Sequence, residues 1–472
     1  MPIGHAARST LGARAIEKLK PLVRPREQLQ QLQQLPDEER QALPTAHLDH
    51  NTLTDAVHFA DPHTTPPPHG TDHQRSVVRR WRLSQRGGFR LVAFLVVTGL
   101  LGSYSLTPLY SVYQDRWHFS DLMLSVAFAC YSLGTVLALL LFGSLSDHLG
   151  RRAAFVPALL GVAASLLILM FAVDLPMLLA GRAVQGIATG IVNGTAGAAL
   201  MDLEPRGDRR AAAFANSMSI AAGSALGPLI AGFLVAHAPM PTKTPYLVVL
   251  VLLAVCLAGV TLLPETVDPT RRTSRGGIRR PRMPENRAVF LVACLGAITC
   301  SAGMALFAEF GTQLAGQVHL NGASMGGLLV FVMFAAIGLV QVLFRRLGHL
   351  ACLVVGSIGT AVGWAGIVAA LCAHQAAAMF VAAVVAGAGS GLAFMGATAG
   401  VNHVAAPERR AEAVSLYFVV MFMALAVPGV GGGALAQAIG LTGTSVVMLG
   451  LAAAIAAVMC VVARHPRVAH RL

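Results

Sequence analysis

Two charged side chains, Arg182 and Glu309, lie inside long apolar stretches of the sequence. A charge within a membrane span is costly, so each side chain must face protein or water, and such residues often mark proton paths. The Glu309 carboxyl group is a candidate for binding and releasing a proton, and the Arg182 guanidinium is a candidate for tuning that exchange. A structural role for Arg182, as a hydrogen-bond donor to backbone carbonyls, is equally open.

The position of Glu309 limits how it can act. Counting ~1.5 Å for each helical residue from Arg287 places Glu309 about 33 Å along its apolar stretch, near the far end. This position weakens a role as a proton relay at the membrane midplane. The sequence therefore indicates a titratable group without fixing its function.

Six polar or aromatic residues within apolar stretches are candidates to line a substrate cavity, and packing is the alternative role for each. They are Tyr104, Tyr131, Asn193, Asn216, Trp364 and Tyr417. Because so little charge is predicted in such a cavity, a lipophilic or weakly polar small molecule fits it better than a strongly anionic one.

The elements that must carry these residues are membrane helices. Hydrophobic residues make up 55% of the chain and charged residues 12%, which is about half the charge of a soluble protein. From residue 91 onward, twelve apolar segments are each near the ~20 residues that cross a bilayer as a helix. They lie at about 91–113, 121–142, 153–173, 176–200, 211–236, 245–264, 288–311, 324–344, 351–372, 376–400, 412–437 and 442–463. We therefore predict an all-α membrane protein with twelve transmembrane helices.

The sequence also predicts how these spans are grouped. The predicted parts are a disordered cytoplasmic tail at 1–88, a six-helix bundle at 89–264, a cytoplasmic linker at 265–287, a second six-helix bundle at 288–464 and a C-terminal tail at 465–472. Arg210 and Pro228 recur as Arg410 and Pro428, which indicates that the bundles are pseudo-repeats. Repeats of this kind place a substrate site between the two halves.

The distribution of cationic residues predicts the topology. The formal net charge is +13, and nearly all Lys and Arg residues fall in the tail or in loops on one predicted face. The loops of the other face carry only Arg116 and Lys243. By the positive-inside rule, both termini lie in the cytoplasm of a multi-pass inner-membrane protein. The positive charge thus indicates membrane topology rather than nucleic-acid binding, and the first span is expected to direct insertion because residues 1–88 contain no signal-peptide core.

A ten-residue polar stretch, 143–152, separates the second and third spans. It is too short and too polar to cross a bilayer, so it must be a tight turn on one side. Its candidate gating residues are Gly143, Asp147, Gly150, Arg151 and Arg152. The glycines permit close backbone approach, and the acid lies among cations at the cytoplasmic face.

Other kinds of chemistry find little support in the sequence. All seven cysteines lie in apolar segments, so we expect buried thiols and neither disulfides nor a metal site. The sequence contains no phosphate-binding loop of the form G-x-x-x-x-G-K-[ST], and no nucleophile–base pair stands out. We expect neither a cofactor nor an enzymatic activity.

Four motifs resemble those of the major facilitator superfamily, in particular its twelve-helix drug:proton antiporters. They are segment 102–110 around Pro108, the turn 143–152, segment 179–186 around Arg182, and segment 223–232 with Gly223, Gly227, Pro228 and Gly232. The last resembles the antiporter motif, although Ala231 stands where that motif commonly has glycine. The resemblance covers about 90–465 and implies transport by alternating access, with gating by the turn, proton coupling near Arg182, and a monomeric carrier.

The leading hypothesis is a proton-coupled exporter of small lipophilic compounds, whose partners are the substrate, protons and the lipid bilayer. One alternative is a proton symporter that imports a sugar or an organic acid. Another is a membrane sensor or interaction protein that acts through its N-terminal tail. The gate is expected to act from one half only, because Arg345 occupies the position in the second half that corresponds to Asp147.

Overall fold

A computed structural model describes residues 83–142, 149–266, 287–404 and 410–464 of the chain. These residues form helices without any strand. The helices are α1 (Gln85–Tyr104), α2 (Thr107–Trp117), α3 (Asp121–Phe142), α4 (Arg151–Met170), α5 (Leu175–Leu203), α6 (Arg209–His237), α7 (Thr244–Thr261), α8 (Arg287–Gln317), α9 (Ala323–Leu343), α10 (His349–Ala373), α11 (Ala376–Val404) and α12 (Arg410–Arg464).

The helices provide twelve membrane crossings. Helices α1 and α2 follow one another in a single apolar span, Gln85–Trp117. Helix α12 has 55 residues, or about 80 Å, which is far more than the ~30 Å of a bilayer core. Gly440 interrupts α12 with a non-helical backbone (φ 73°, ψ 170°), so this segment makes two crossings. The predicted all-α fold with twelve transmembrane helices is confirmed.

Side chains of the connecting turns fix where several helices begin. The Ser84 hydroxyl accepts a hydrogen bond from the Gly87 N–H at 3.1 Å, and the Asp174 carboxylate accepts one from Met177 at 2.9 Å. The Asp208 carboxylate accepts the N–H groups of Arg210 and Ala211. These acceptors satisfy backbone donors that have no partner within the helix.

The outer surface of the bundle is apolar. On α3, the side chains of Leu133, Leu137, Leu140 and Leu141 are 41–47% exposed. Residues at this spacing lie on one face of a helix. A continuous exposed apolar face of this kind is suited to lipid contact.

Successive crossings run in opposite directions, which gives the bundle two distinct ends. We call the end that contains Arg151 and Arg209 the basic side, and the end that contains Asp121 and Gln317 the opposite side. We refer to α1–α7 as the first group and to α8–α12 as the second group, after the predicted halves. Between them, α3 packs on α12 and α6 packs on α9.

Glycines allow the groups to approach closely at these contacts. A Cβ atom added to Gly433 of α12 would collide with the Ser125 side chain of α3, and one added to Gly232 of α6 would collide with the backbone oxygen of Ala323 in α9. Both contacts lie toward the opposite side. The two groups therefore pack together at that end of the bundle.

Some predicted segments lie outside the described residues. These are most of the tail (1–82), residues 267–286 of the linker, and the C-terminal tail (465–472). The proposed boundaries of the two bundles remain a prediction.

Candidate functional site

Arg182 lies within α5, about 10 Å from the helix start on the opposite side. Its side chain is 1% exposed. The guanidinium Nη1 donates hydrogen bonds to the Ser103 carbonyl at 3.2 Å and to Gln185 Oε1 at 2.6 Å, and Nε donates to the Ala127 carbonyl at 3.4 Å. The expected contacts with backbone carbonyls are therefore present, and they join α5 to α1 and α3.

Aromatic rings cover the same guanidinium. The Arg182 Cζ atom lies 4.5 Å from the ring centroid of Tyr131 and 5.7 Å from that of Phe128. Cation–π attraction of this kind helps to stabilise a charge that has been removed from water. Tyr131, a predicted cavity residue, therefore serves as a direct partner of Arg182.

Glu309 lies in α8, about 12 Å from the helix end on the opposite side. Its side chain is 2% exposed, and it is the one buried acid among the residues whose burial the structure describes. The Ser125 hydroxyl of α3 donates a 2.7 Å hydrogen bond to Glu309 Oε2. This bond joins the first group to the second.

The second carboxylate oxygen of Glu309 has a different environment. Oε1 is buried without a hydrogen-bond partner among the described residues, and it lies against Gly429 of α12, where an added Cβ atom would collide with it. One oxygen of the carboxyl group is thus bonded across the group interface, while the other is enclosed by a helix that has no side chain at that point.

A second set of hydrogen bonds lies one helical turn nearer the opposite side. Gln313 Nε2 of α8 donates to Gln114 Oε1 at 2.7 Å and to Asp121 Oδ1 at 3.2 Å. Gln114 Nε2 also donates to Asp121 Oδ1, at 2.8 Å. Asp121 precedes Ser125 by four residues, and Gln313 follows Glu309 by four. Helices α3 and α8 are therefore joined by two hydrogen-bonded contacts that lie one helical turn apart.

Helix α3 takes part in both of these contacts with α8 and also contacts Arg182 of α5. Ala127 and Tyr131, which contact Arg182, follow Ser125 within the next two turns. Arg182 and Glu309 are each hydrogen-bonded to their own partners rather than to each other, and residues of α3 contact both side chains. A movement of α3 relative to α8 would therefore change the surroundings of both charges.

The other predicted cavity residues occupy more varied places. Tyr104 packs edge-on against Phe334 of α9, with ring centroids 5.3 Å apart, and so spans the two groups. The Asn193 side-chain oxygen is buried without a hydrogen-bond partner among the described residues. Asn216 lies on α6 and faces Gly197 of α5.

Trp364 and Tyr417 both lie within the second group. Trp364 is 1% exposed, and its ring packs edge-on against that of Phe307, with ring centroids 5.9 Å apart. Tyr417 is also 1% exposed, and its hydroxyl lies 3.2 Å from Thr398 Oγ1. Both rings are packed among neighbouring helices.

The glycines of the α6 motif contact two different helices. Cβ atoms added to Gly223 and Gly227 would collide with backbone oxygens of α1, and one added to Gly232 would collide with α9. Pro228 lies inside α6, and its carbonyl oxygen faces Gly327 of α9. The motif therefore provides close helix contacts both within the first group and between the groups.

The predicted gate is described only in part, because Gly143 and Asp147 lie outside the described residues. Gly150 has φ 98°, a backbone conformation that favours glycine. Arg151 is 8% exposed, and its Nε lies 2.9 Å from Asp202 Oδ2 at the end of α5. These contacts anchor the start of α4 to α5.

Glu265 completes this anchor from beyond α7. Its two carboxylate oxygens accept the backbone N–H groups of Arg151 at 2.8 Å and Arg152 at 3.2 Å. A carboxylate at a helix N-terminus is stabilised by these unpaired donors. Sequence reasoning missed Glu265 and Asp202, as well as Ser125, Asp121, Gln114 and Gln313, because each looks like an ordinary polar residue near the end of a span.

Comparison with known proteins shows which family and which relatives this chain resembles. Residues 92–370 match the family model described as Major Facilitator Superfamily. The staphyloferrin B transporter of Staphylococcus aureus is 27% identical over 203 residues, which are 41% of this chain and 48% of that protein. The triacylglyceride transporter of Mycobacteroides abscessus is 36% identical over 99 residues, 21% of this chain and 19% of that protein. The chain thus spans less than half the length of these two curated relatives.

Solved structures show the same fold. The crystal structure of a bacterial homologue of the human lysosomal transporter Spinster, in an inward-facing and unoccupied conformation, matches with a TM-score of 0.64 at 15% identity. The match covers 83% of this chain and 97% of that one.

Proposed function

Because the chain belongs to the major facilitator superfamily, a family of membrane transporters for small molecules, we propose that it is a proton-coupled exporter of small lipophilic compounds. Members of this family are generally not enzymes. The chain is a multi-pass membrane protein, and the asymmetry of its cationic residues supports a cytoplasmic location for both termini in an inner membrane.

The main support for proton coupling is the position of the Glu309 carboxyl group at the contact between the helix groups. It is buried, bonded to Ser125 through one oxygen and enclosed by α12 at the other. An ionisable group in this position is a functional candidate by default. Arg182 belongs to the first group and Glu309 to the second, so in the proposed alternating access the two charges lie on elements that move apart.

The proposed cycle follows from the positions of the hydrogen bonds. With the opposite side closed, the Ser125–Glu309 and Asp121–Gln313 contacts hold α3 against α8. Opening that side separates the helices, breaks both contacts and gives Glu309 access to water, where it binds a proton. Return to the closed state carries the proton inward, and the basic side then opens to release it.

The turn 143–152 is proposed to close the basic side when the carrier opens on the opposite side. The Arg151–Asp202 ion pair and the Glu265 contacts support this role, because they hold one end of the turn rigidly on the first group. Asp147 is proposed to provide the acid of this gate. The glycines of α6 and Pro228 support close packing of the groups during the same movement.

The surroundings of the buried Arg182 guanidinium support a lipophilic substrate. Arg182 is surrounded by carbonyls, Gln185 and aromatic rings, so it offers little to an anionic substrate. One matched relative bears the name of a transporter of triacylglycerides, which are lipophilic molecules. The similarity of segment 223–232 to the antiporter motif supports export over import, with a monomer as the transporting unit.

The experiment that tests the proposal uses purified full-length chain in proteoliposomes with an imposed pH gradient. A panel of lipophilic dyes, organic anions and sugars is offered, and uptake of each is followed with and without the gradient. We expect a lipophilic compound to move against its own gradient and opposite to the protons. Movement of a sugar or organic anion in the same direction as the protons would contradict export and establish the symporter alternative.

A further inference from the structure

A cavity of about 330 Å³ lies on the basic side of the first helix group, away from Arg182 and Glu309. Two turns at the start of α1 contribute Arg86, Phe89 and Arg90, and the turn between α5 and α6 contributes the rest of the lining. The lining residues of that turn are Glu204, Pro205 and Arg206. Two elements far apart in the sequence thus build one concave site.

The cavity is strongly cationic. Arg86, Arg90 and Arg206 are all exposed, and no side-chain hydrogen bond or ion pair of theirs is found in the part of the chain that the structure describes. Arg86 and Arg90 are four residues apart and therefore lie on one face of α1. All three arginines line the same cavity, so an anion that enters it meets three cationic side chains.

The single acid of the lining is already engaged. Glu204 Oε2 accepts the backbone N–H groups of Arg206 and Asp208, both at 2.7 Å. The Glu204 backbone carbonyl accepts a 3.3 Å hydrogen bond from Gln85 Nε2, which ties the start of α1 to this turn. The carboxylate therefore stabilises the loop that presents Arg206, and the three cations outnumber it.

The position of the cavity indicates what kind of anion it takes. It lies at the end of a membrane-spanning helix, and the ends of such helices are expected at the level of the lipid headgroups. Guanidinium groups bind phosphate through paired, charge-assisted hydrogen bonds, and Phe89 and Pro205 offer apolar surface beside the cations. A volume of about 330 Å³ accommodates a headgroup phosphate with its glycerol, while the acyl chains remain in the bilayer.

We propose that the cavity formed by Arg86, Arg90 and Arg206 binds the phosphate of an anionic phospholipid from the leaflet on the basic side. The bound headgroup bridges the start of α1 and the α5–α6 turn, which otherwise meet through the Gln85–Glu204 hydrogen bond. The site is independent of the proposed transport function, because it shares no residue with the Arg182–Glu309 region.

The test compares lipid binding by purified full-length chain and two variants, Arg90→Gln and Arg206→Gln. Native mass spectrometry counts molecules of dioleoyl-phosphatidylglycerol retained, with dioleoyl-phosphatidylcholine as the neutral lipid. We expect the chain to retain one phosphatidylglycerol in preference to phosphatidylcholine, and each variant to weaken this retention about tenfold, because each removes one of three phosphate contacts. Arg346→Gln, which changes an exposed arginine outside the cavity, is expected to retain the lipid like the unchanged chain.

Two further measurements distinguish the binding of a phospholipid from the binding of a soluble anion. Thermal unfolding in the same micelles should show stabilisation by phosphatidylglycerol that is lost in the Arg90 and Arg206 variants and preserved in Arg346→Gln. Inorganic phosphate at millimolar concentration should leave this stabilisation in place. Equal retention of both lipids, an equal effect of all three substitutions, or full displacement by inorganic phosphate would overturn the proposal.

Discussion

Ser125 and Glu309 belong to different helix groups, and the Ser125 hydroxyl donates a 2.7 Å hydrogen bond to the Glu309 carboxylate. The neighbouring helical turn repeats the arrangement with Asp121 and Gln313. The closed end of the bundle is thus assembled around a buried acid. In the cycle that we propose, closure of the opposite side and the protonation of Glu309 are therefore linked.

Replacing Arg182 with lysine should reduce both stability and transport. Lysine keeps the charge but lacks the planar fork that reaches the Ser103 carbonyl and Gln185 Oε1 together. A buried acceptor left without its donor costs about 1–3 kcal/mol. We expect a lower unfolding temperature and slower pH-driven transport for Arg182→Lys, measured by thermal denaturation in micelles and by flux in proteoliposomes.

The matched control is Arg116→Lys, which alters an exposed arginine in the last turn of α2. It should leave both measurements near those of the unchanged chain. If the Arg182→Lys protein has an unchanged unfolding temperature and flux, the geometry of the guanidinium group contributes to neither stability nor transport.

A covalent link between α2 and α8 should trap the opposite side in its closed form. Gln114 and Gln313 are in direct hydrogen-bond contact, so cysteines at both positions lie within reach of a short bifunctional reagent that forms a disulfide bond with each thiol. In a background without the seven native cysteines, we expect cross-linking of Gln114→Cys/Gln313→Cys to lower transport about tenfold or more, since alternating access requires the helices to separate.

Cleavage of the link with a reducing agent should restore transport, and each single-cysteine variant should be insensitive to the reagent. Full transport by the cross-linked protein, verified by mass spectrometry, would mean that α2 and α8 remain together throughout the cycle.

Gly150 and Gly348 provide a comparison between the two halves at the corresponding turn. Gly150 has φ 98°, and an added Cβ atom would meet the Glu265 carboxylate. Gly348 has φ −63° and open space around it. Gly150→Ala should therefore destabilise the protein by about 1–3 kcal/mol, whereas Gly348→Ala should be nearly neutral.

Thermal unfolding of both variants in the same detergent measures this difference. Equal unfolding temperatures for the two alanine variants would indicate that the positive φ of residue 150 and the nearby Glu265 carboxylate do not penalise a side chain at this position.

The membrane spans could be read from the sequence because crossing a bilayer demands a long apolar helix, and few other patterns satisfy that demand. The backbone contacts of Arg182 were foreseeable for a similar reason, since an isolated cation in an apolar segment needs acceptors close by. The expectation that Glu309 lies away from the midplane also follows from counting along a helix.

The partners of Glu309 could not be read in this way. Ser125 is 184 residues away in the chain, and the contact depends on how two helix groups pack. No local pattern distinguishes Ser125 or Gln313 from other polar residues near the ends of spans. Glu265 lies at the start of a stretch predicted as linker, yet its carboxylate binds the first turn of α4, a contact that only the arrangement of α4 and α7 creates.

Proton movement linked to Glu309 is measured most directly with a pH-sensitive dye inside proteoliposomes, as substrate is added to the outside. For the unchanged chain, and for a control with the exposed Asp115 replaced by asparagine, we expect substrate addition to cause a proton flux that collapses with a protonophore. Glu309→Gln keeps the size of the side chain and cannot exchange a proton, so its substrate-driven proton flux should vanish while exchange of labelled for unlabelled substrate continues. A proton flux in Glu309→Gln equal to that of the unchanged chain would contradict the assignment of Glu309 as the coupling group.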